Sequence, residues 1–188
     1  MESIDFKPWF LHPETLPALQ GGVVAIGAFD GCHVGHQQLL LRADAAISFI
    51  PSPKSFFDVE EKVLTLPDEK LVRFPHFVFM RFDEQLAGMS PDIFIDVIKA
   101  ALNPKKILVG WDFHFGKKLS GNVNDLTSIA TKLGIEVEVI PPFKRGRIIV
   151  KSRNIREYLK TGQIEKANEL LGYDYFICSR VVHGKALG

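Results

Sequence analysis

The stretch GVVAIGAFDGCHVGHQQLL, residues 22–40, decides which fold we expect. It opens with an apolar run from Gly22 to Phe29 that contains β-branched residues and ends at a turn, a pattern typical of a buried parallel strand. Apolar residues at helical spacing follow from His36 to Ala46, and residues 47–50 are again strand-like. The spacing therefore predicts a β-α-β unit whose first turn carries two histidines.

Strands and helices continue to alternate up to residue 140. Ser90 is a suitable N-cap for a helix that begins at Pro91 and ends before Pro104, and Gly134 is suited to end the next helix. Further strands are predicted at residues 77–80, 107–109 and 135–140. This alternation predicts an α/β fold with a doubly wound, mostly parallel, Rossmann-like sheet, in which ligands bind beyond the carboxyl ends of the strands.

The last third of the chain has a different pattern. Residues 147–150 are strand-like, and Ser152 is a plausible N-cap for a helix at residues 153–160. A second helix begins near Ile164 and is ended by Gly172, after which a strand is predicted from Tyr173 to Val182. We therefore expect a short helical and strand extension at the C-terminal end of the α/β domain.

Composition and charge exclude several classes of protein. The formal net charge of +1 predicts no binding of nucleic acid or of an anionic membrane, and no apolar run is long enough to span a bilayer. Cysteine occurs at Cys32 and Cys178, so neither a disulfide framework nor a zinc site is indicated, and the cytoplasm is the expected compartment. No pair of carboxylates stands out as a metal site, so the metal ligands are unknown at this stage, as is the oligomeric state.

The residues with the clearest chemistry are His33 and His36, in the sequence HVGH. They follow a predicted strand and open a predicted helix, where N–H groups and the helix dipole favour a phosphate, and Gly35 lets a ligand approach the backbone closely. Imidazoles in this position can donate hydrogen bonds to phosphate oxygens as negative charge develops during nucleotidyl transfer. Two other interpretations are open: a helix-capping pair of histidines, or two ligands of an incomplete metal site.

The same stretch and five later ones resemble bacterial FAD synthetases, within the HxGH nucleotidyltransferase superfamily. In chain order they are GAFDGCHVGHQQLL, ISFIPSPKSFF, LTLPDEK, FDEQLAGMSPDIFI, VGWDFHFGKKLSGN and IREYLKTGQIEKANELLGYDYFICSRVVHG. The resemblance implies the N-terminal FMN adenylyltransferase module of this family, in which the phosphate of FMN attacks the α-phosphorus of ATP to give FAD and pyrophosphate with the help of Mg²⁺. It also implies that residues 1–172 form this module and that residues 173–188 correspond to the start of a riboflavin kinase module, too short to fold alone.

The resemblance further implies roles for single residues. His33, His36 and Arg156 would contact the ATP phosphates and act in catalysis. The implied binding residues come from the first strand and its turn, from the Gly-x-Asp-Phe-x-Phe-Gly loop, and from the segment at the start of the helix near residue 153: Gly27, Phe29, Asp30, Gly31, Gly35, Asp112, Phe113, Phe115, Gly116, Lys151, Ser152 and Arg153. Two structural alternatives are open, namely that the phenylalanines belong to the core and that Arg156 is a solvated surface charge.

The chain departs from the family pattern at several positions. Ala28 stands where the family has Asn, Ser52 replaces the His of Pro-His-Pro, and the Ser-Ser-Thr motif reads Lys151-Ser152-Arg153. Lysine and arginine can still bind phosphates through charge-assisted hydrogen bonds. Two alternatives to FMN adenylylation follow: a nucleotide- or flavin-binding homologue with weakened catalysis, and an adenylyl- or cytidylyltransferase for another phosphorylated acceptor.

Overall fold

A computed structural model describes residues 5–58 and 62–178 of the protein. Five strands form its central sheet: β1 (Val23–Ile26), β2 (Ala45–Ile50), β3 (Phe77–Arg81), β4 (Lys106–Gly110) and β5 (Glu136–Ile140). Their order is β3-β2-β1-β4-β5, and every neighbouring pair is parallel. The predicted α/β fold with a doubly wound parallel sheet is confirmed.

Most of the α-helices lie between these strands, and the last two follow β5. They are α1 (Val34–Leu40), α2 (Pro53–Phe57), α3 (Pro67–Arg73), α4 (Glu84–Ala87), α5 (Pro91–Leu102), α6 (Val123–Lys132), α7 (Ser152–Lys160) and α8 (Ile164–Leu171). A small antiparallel hairpin of β6 (Lys144–Arg145) and β7 (Ile148–Ile149) precedes α7. Among the described residues, no helix has the length and apolar character needed to cross a membrane.

Both faces of the sheet are buried. In β1, Val24 and Ile26 pack into one core with residues of α5 and α6, while Ala25 packs into a second core with residues of α1. Successive strand residues point to opposite faces, and here both faces are covered. β1 to β4 therefore appear in the sequence as nearly continuous apolar runs, which made them predictable, whereas the edge strand β5 alternates between apolar residues and glutamates.

The chain order places a crevice between β1 and β4. The chain moves outward from β1 through β2 to β3 and then returns to the other side of β1, where β4 and β5 lie. Ligands of open α/β sheets bind at such a reversal, beyond the carboxyl ends of the strands. The turn that leaves β1 and the Phe-rich loop that leaves β4 both begin at this point.

The first helix is shorter than predicted. It ends at Leu40 instead of Ala46 because Asp44 pairs with the start of β1. The N–H of Asp44 donates to the carbonyl of Val23 (2.8 Å), and its carboxylate accepts from the N–H of Val23 (2.7 Å). The chain is thereby drawn into the sheet and enters β2 at Ala45.

Two short helices, α2 and α3, lie where the sequence predicted no helix. In α2, Ser52 accepts a hydrogen bond from the N–H of Ser55 (3.1 Å), and Pro53 occupies the first helical turn. Pro67 occupies the same place in α3. Proline is well tolerated there because the first N–H groups of a helix have no partner within it.

Two predictions for the C-terminal part are wrong. Lys151, not Ser152, is the N-cap of α7, and the Oγ of Ser152 donates instead to the carbonyl of Asp30 (2.8 Å). Of the strand predicted from Tyr173 to Val182, residues 173–178 contain no strand, and the remainder lies outside the described residues. The stretch 179–188, which resembles the start of a kinase module, also lies outside them.

Candidate functional site

The turn between β1 and α1 has a strained backbone. Phe29 (φ 47°), Gly31 (φ 81°) and Cys32 (φ 38°) adopt left-handed conformations. Such conformations are costly for residues with a side chain and persist only where the surroundings enforce them. A Cβ at Gly31 would also lie 2.9 Å from a methyl group of Leu64, so the Leu64 side chain would have to shift to accommodate it.

Side chains from distant segments hold the carbonyl oxygens of this turn. Lys70 Nζ (2.7 Å) and Ser48 Oγ (3.0 Å) donate to Ala28, Ser152 Oγ donates to Asp30 (2.8 Å), Tyr173 Oη donates to Gly31 (2.8 Å), and Gln37 Nε2 donates to Cys32 (3.0 Å). The donors belong to β2, α3, α7, α1 and the segment after α8. The conformation of the turn therefore depends on tertiary contacts across the whole protein.

The carboxylate of Asp30 is engaged within the protein. It accepts hydrogen bonds from the N–H of Leu64 (2.7 Å) and from the guanidinium of Arg156, and Asp30 is only 7% exposed. The Nε of Arg156 donates to the carbonyl of Lys62 (3.0 Å). Arg156 therefore ties α7 to the turn and is not a solvated surface charge.

His33 and His36 stack, with ring centroids 3.6 Å apart and 15° between the ring planes. His33 is the N-cap of α1, and its Nδ1 accepts a hydrogen bond from the N–H of His36 (3.2 Å). Because an accepting nitrogen carries no proton, neutral His33 has its proton on Nε2. The capping interpretation is thus confirmed for His33, and its Nε2–H is the donor that it can offer to a ligand.

Burial keeps both imidazoles neutral. It lowers the pKa of His33 to about 4, and it holds the pKa of His36 well below the usual value, with smaller contributions from His33 and from the charge of Lys70. The Nδ1 of His36 is buried and has no hydrogen-bond partner among the described residues. Gly35 leaves room for the stacked rings, because a Cβ there would lie 3.3 Å from the ring of His33.

A cleft of about 460 Å³ opens over the histidine pair, at the carboxyl end of the sheet. Its polar lining consists of His33, His36, Lys54, Asp112, Lys151, Ser152 and Arg153. Its apolar lining consists of Leu39, Trp111, Ile140, Pro141, Pro142, Phe143 and Val150. A cavity of this size with few polar groups beside apolar surface is typical of small-molecule sites.

Lys151 connects two sides of this cleft. Its Nζ lies 2.9 Å from the carboxylate of Asp112 and 4.7 Å from the ring centroid of Trp111. Lys151 precedes α7, whereas Asp112 and Trp111 follow β4. The lysine therefore bridges the loop after β4 and the start of α7.

A second pocket of about 130 Å³ lies beside the cleft. The two cavities share α2 and the loop after β4, because Lys54 and Asp112 line the cleft while Pro53 and Phe113 line the pocket. The pocket is largely aromatic, with Phe49, Phe57, Phe82, Phe94, Phe113 and Phe115 in its lining. Phe57, which is 73% exposed, and Leu119, which is 65% exposed, leave apolar surface open to solvent at its rim.

The structure brings most of the predicted site residues together. His33, Gly35, His36, Asp112, Lys151, Ser152 and Arg153 line the cleft, and Phe113, Phe115 and Gly116 line the aromatic pocket. Gly27, Phe29, Asp30, Gly31 and Arg156 line neither cavity and belong to the turn or to its supports. Phe115 fits both interpretations of the Phe-rich loop, because it is 6% exposed in the core and also contributes to the pocket.

Several residues of the two cavities were missed by the sequence analysis. Lys54 and Trp111 are the clearest cases in the cleft. The Ser52-Pro53 pair could have indicated the short helix α2, which carries Lys54, since the same Ser-Pro pattern correctly predicted the start of α5. No local pattern distinguishes Trp111 from a core residue, because its position in the cleft depends on the packing of the loop after β4.

The described residues do not form a metal site. Within residues 5–58 and 62–178, no group of three or more His, Cys, Asp and Glu side chains could hold a metal ion. Asp30 is paired with Arg156, and Asp112 is paired with Lys151. Magnesium therefore has no evident ligand set among these residues, and no step is assigned to a metal held by their side chains.

Comparison with known proteins gives consistent matches. A family model described as FAD synthetase matches residues 16–154. The chain is 31% identical over 184 residues to the bifunctional riboflavin kinase/FMN adenylyltransferase of Listeria monocytogenes, covering 88% of this chain and 58% of that protein. It is 36% identical over 174 residues to the putative bifunctional riboflavin kinase/FMN adenylyltransferase of Geobacillus thermodenitrificans, covering 85% of this chain and 92% of that protein.

A solved structure, titled as a macrolide-efflux protein from Streptococcus pneumoniae, matches with a TM-score of 0.71 and 26% identity, covering 83% of this chain and 66% of that one. This match agrees with the fold described above. The chain spans about three fifths of the length of the first curated relatives, 58% and 59%.

The family model covers residues 16–154, which are well over half of the chain. These residues include the strained turn, the histidine pair and the Phe-rich loop. The chain therefore belongs to the FAD synthetase family.

Proposed function

We propose that this chain is an FMN adenylyltransferase, which forms FAD and pyrophosphate from FMN and ATP, with residues 1–172 as the catalytic module. The observation that carries the proposal is the stacked His33–His36 pair at the floor of a cleft that adjoins an aromatic pocket. Membership of the FAD synthetase family and the names of the relatives support the same reaction.

The cleft suits ATP because its lining combines an apolar and a cationic part. Trp111, Ile140 and Pro141 offer apolar surface to a purine base. Lys151 and Arg153 offer cations to the triphosphate, in place of the hydroxyls that the family motif has here. Binding of ATP would draw Lys151 from Asp112 to the phosphates.

The aromatic pocket suits the ring system of a flavin. Its phenylalanines, together with the exposed apolar rim at Phe57 and Leu119, provide the surface that a planar ring would cover. The shared wall at α2 would then direct the phosphate of FMN towards the cleft, with Lys54 close to its path. In this proposal the acceptor phosphate and the α-phosphate of ATP would meet at the histidine pair.

The proposed chemistry is a direct displacement. An oxygen of the FMN phosphate attacks the α-phosphorus of ATP, a new P–O bond forms, and the bond from the α-phosphorus to the oxygen that bridges it to the β-phosphorus breaks. That oxygen leaves with the electron pair as part of pyrophosphate. The Nε2–H of His33 and the imidazole of His36 would donate hydrogen bonds to phosphate oxygens as their negative charge increases, with Mg²⁺ supplied as the complex of ATP.

The test is formation of FAD and pyrophosphate by the purified chain from FMN, ATP and Mg²⁺. For His36→Ala we expect a loss in kcat of about 100-fold, with a much smaller loss in ATP affinity, because the imidazole acts mainly in the transition state. His12→Ala is the matched control, because His12 is exposed and lines neither cavity. Its activity should equal that of the unaltered chain.

Three results would count against the proposal or against the catalytic role of His36. Absence of FAD with every divalent metal tried, together with calorimetric binding of ATP, would favour a binding protein with weakened catalysis, as Ala28 and Ser52 suggest. Equal losses of rate and affinity in His36→Ala would mean that His36 only binds. Release of pyrophosphate with another phosphorylated acceptor, and none with FMN, would identify a different transferase.

The two cavities can be assigned separately by a matched pair of truncations. Phe113→Ala should raise the KM for FMN about tenfold, and Trp111→Ala should raise the KM for ATP by a similar factor, because each removes a large apolar contact surface. Each variant should leave the KM for the other substrate nearly unchanged. Identical changes in both KM values would contradict the assignment.

A further inference from the structure

Lys70 is a buried lysine behind the strained turn. It is 5% exposed, and its Nζ donates to the carbonyl of Ala28 (2.7 Å) and to the Oγ of Ser48 (3.1 Å). The ring centroid of Phe77 lies 5.9 Å from the same nitrogen. Among the described residues, no carboxylate lies close enough to form a salt bridge with Lys70. The proposed reaction assigns no contact with substrate to this residue.

A buried ammonium without an ion-pair partner requires an explanation. Burial of an unpaired charge is unfavourable, and desolvation lowers the pKa of Lys70, although Cys32 and Asp30 partly oppose this shift. A methionine would fill nearly the same volume without that cost. Filling space in the core therefore does not explain why a lysine stands at position 70, and its charge must serve another purpose.

The hydrogen bond to Ala28 indicates this function. Ala28 immediately precedes the left-handed residues of the turn, and His33 follows directly after Cys32, the last of them. Ser48 and Lys70 donate to the same carbonyl oxygen from β2 and α3, respectively. A charged donor makes a stronger hydrogen bond than a neutral one, so Lys70 is the stronger of these two constraints.

We propose that Lys70 is a positioning residue of the transfer reaction, whose ammonium group holds the Ala28 carbonyl and so fixes the turn that presents His33 and His36. This inference rests on the adenylyltransferase function proposed above. Lys70 acts through the turn and does not line the cleft. Loss of the ammonium would let the strained turn relax and would move the histidines from their stacked arrangement.

The charge of Lys70 also acts on His36. Desolvation is the main cause that lowers the pKa of His36, and the neighbouring His33 and the charge of Lys70 lower it further. Asp30 and Cys32 are the titratable groups that act on Lys70 itself. Other charged groups near the turn are Glu69 and Arg73 of α3, and Lys54, Asp112, Lys151 and Arg153 line the cleft together with His36. A neutral His36 avoids a second positive charge beside the stacked ring of His33.

The first test compares catalysis in three variants. In Lys70→Met we expect kcat to fall roughly tenfold, with a smaller change in the KM for ATP, because the lost contact orients groups that act in the transition state. Lys70→Arg retains a buried donor with a positive charge and should recover a large part of kcat. Lys132→Met removes an exposed lysine that lines neither cavity, and its kcat should be unchanged.

The second test does not depend on catalysis. In the ligand-free chain, the pKa of His36 measured by NMR should rise in Lys70→Met and stay unchanged in Lys132→Met. If Lys70→Met does not fold, Lys70→Gln, which keeps a donor but loses the charge, should raise the pKa of His36 in the same direction.

The proposal is overturned if Lys70→Met lowers only the thermal midpoint and leaves both kcat and the titration of His36 as in the unaltered chain. If the unaltered chain forms no FAD, the proposed function fails. The NMR titration then still decides whether Lys70 controls His36.

Discussion

His33 uses its two ring nitrogens for different purposes. Nδ1 accepts the hydrogen bond that caps α1, and Nε2 carries the proton that can be donated into the cleft. Protonation at Nδ1 would remove the acceptor, break the cap and place a charge in a residue that is 5% exposed. The same residue therefore links the stability of the domain to the protonation state of its site.

We predict that this domain loses stability in mild acid. Since the pKa of His33 falls from 6.5 to about 4 on folding, the unfolded chain binds more protons between these values. The stability that the lowered pKa of His33 contributes is fully present above about pH 6.5, and it is lost as the pH falls towards 4. When the pH is lowered from 7.5 to 5, protonation of His33 in the unfolded chain alone should lower the free energy of unfolding by about 2 kcal/mol. Urea denaturation at the two pH values measures this change.

The control for this prediction is His33→Gln, whose amide oxygen can accept a hydrogen bond but does not titrate. Its free energy of unfolding should depend less on pH over the same range. An equal dependence in both proteins would show that other groups, and not His33, cause the acid sensitivity.

At the scale of secondary structure elements, α3 connects the turn to the segment that follows α8. The Nζ of Lys70 donates to the carbonyl of Ala28 in the turn (2.7 Å). Glu69 accepts hydrogen bonds from the N–H groups of Leu66 (2.7 Å) and Cys178 (3.1 Å). The guanidinium of Arg73 lies 3.5 Å from the ring centroid of Tyr173. The short helix α3 thus contacts both the turn between β1 and α1 and the segment after α8.

We predict that Tyr173→Phe lowers the free energy of unfolding by about 1 kcal/mol, because the carbonyl of buried Gly31 loses its donor while the ring contact with Arg73 is kept. Urea denaturation measures the effect. Tyr175→Phe is the matched control, and it should change stability by less than about 0.5 kcal/mol. Similar values for the two variants would mean that the hydroxyl of Tyr173 does not support the turn.

At the scale of the whole molecule, the C-terminal helices complete the site from outside the sheet. α7 and α8 form a hydrophobic cluster with the start of α1, in which Val34, Leu64, Val150, Ile155, Ala167, Leu170 and Leu171 are buried. The Asp30–Arg156 pair lies at the same contact. The cleft therefore requires both the sheet and the docked helices, because Lys151, Ser152 and Arg153 come from the start of α7.

We predict that Arg156→Met lowers the free energy of unfolding by about 3 kcal/mol, because it leaves the carboxylate of Asp30 buried without its charged partner. Arg153→Met provides the comparison, since Arg153 is exposed and lines the cleft; it should change stability by less than about 0.5 kcal/mol and mainly weaken ATP binding. A stable Arg156→Met protein with reduced kcat would instead support the direct catalytic role that the sequence suggested.

Much of the site was predictable because its central motif is local. His33, Gly35 and His36 lie within one turn, so their proximity follows from chain geometry. Asp112 and Lys151 were found through the family resemblance, but their ion pair joins residues that are far apart in sequence. Asp30 was predicted as a binding residue and Arg156 as a catalytic residue, and their mutual engagement became apparent only in the folded chain.

The sequence by itself determined the parallel sheet, most of its strands and the position of the histidine pair, because apolar periodicity and capping patterns act over a few residues. Only the tertiary structure decided which side chains hold the strained turn, which residues line the aromatic pocket, and that Lys70 is buried with no ion pair to any residue of the described ranges. These features depend on contacts between distant segments, such as Lys70 with Ala28 and Tyr173 with Gly31. Local propensity carries no information about such pairs, since their energies arise only when the sheet and the C-terminal helices pack together.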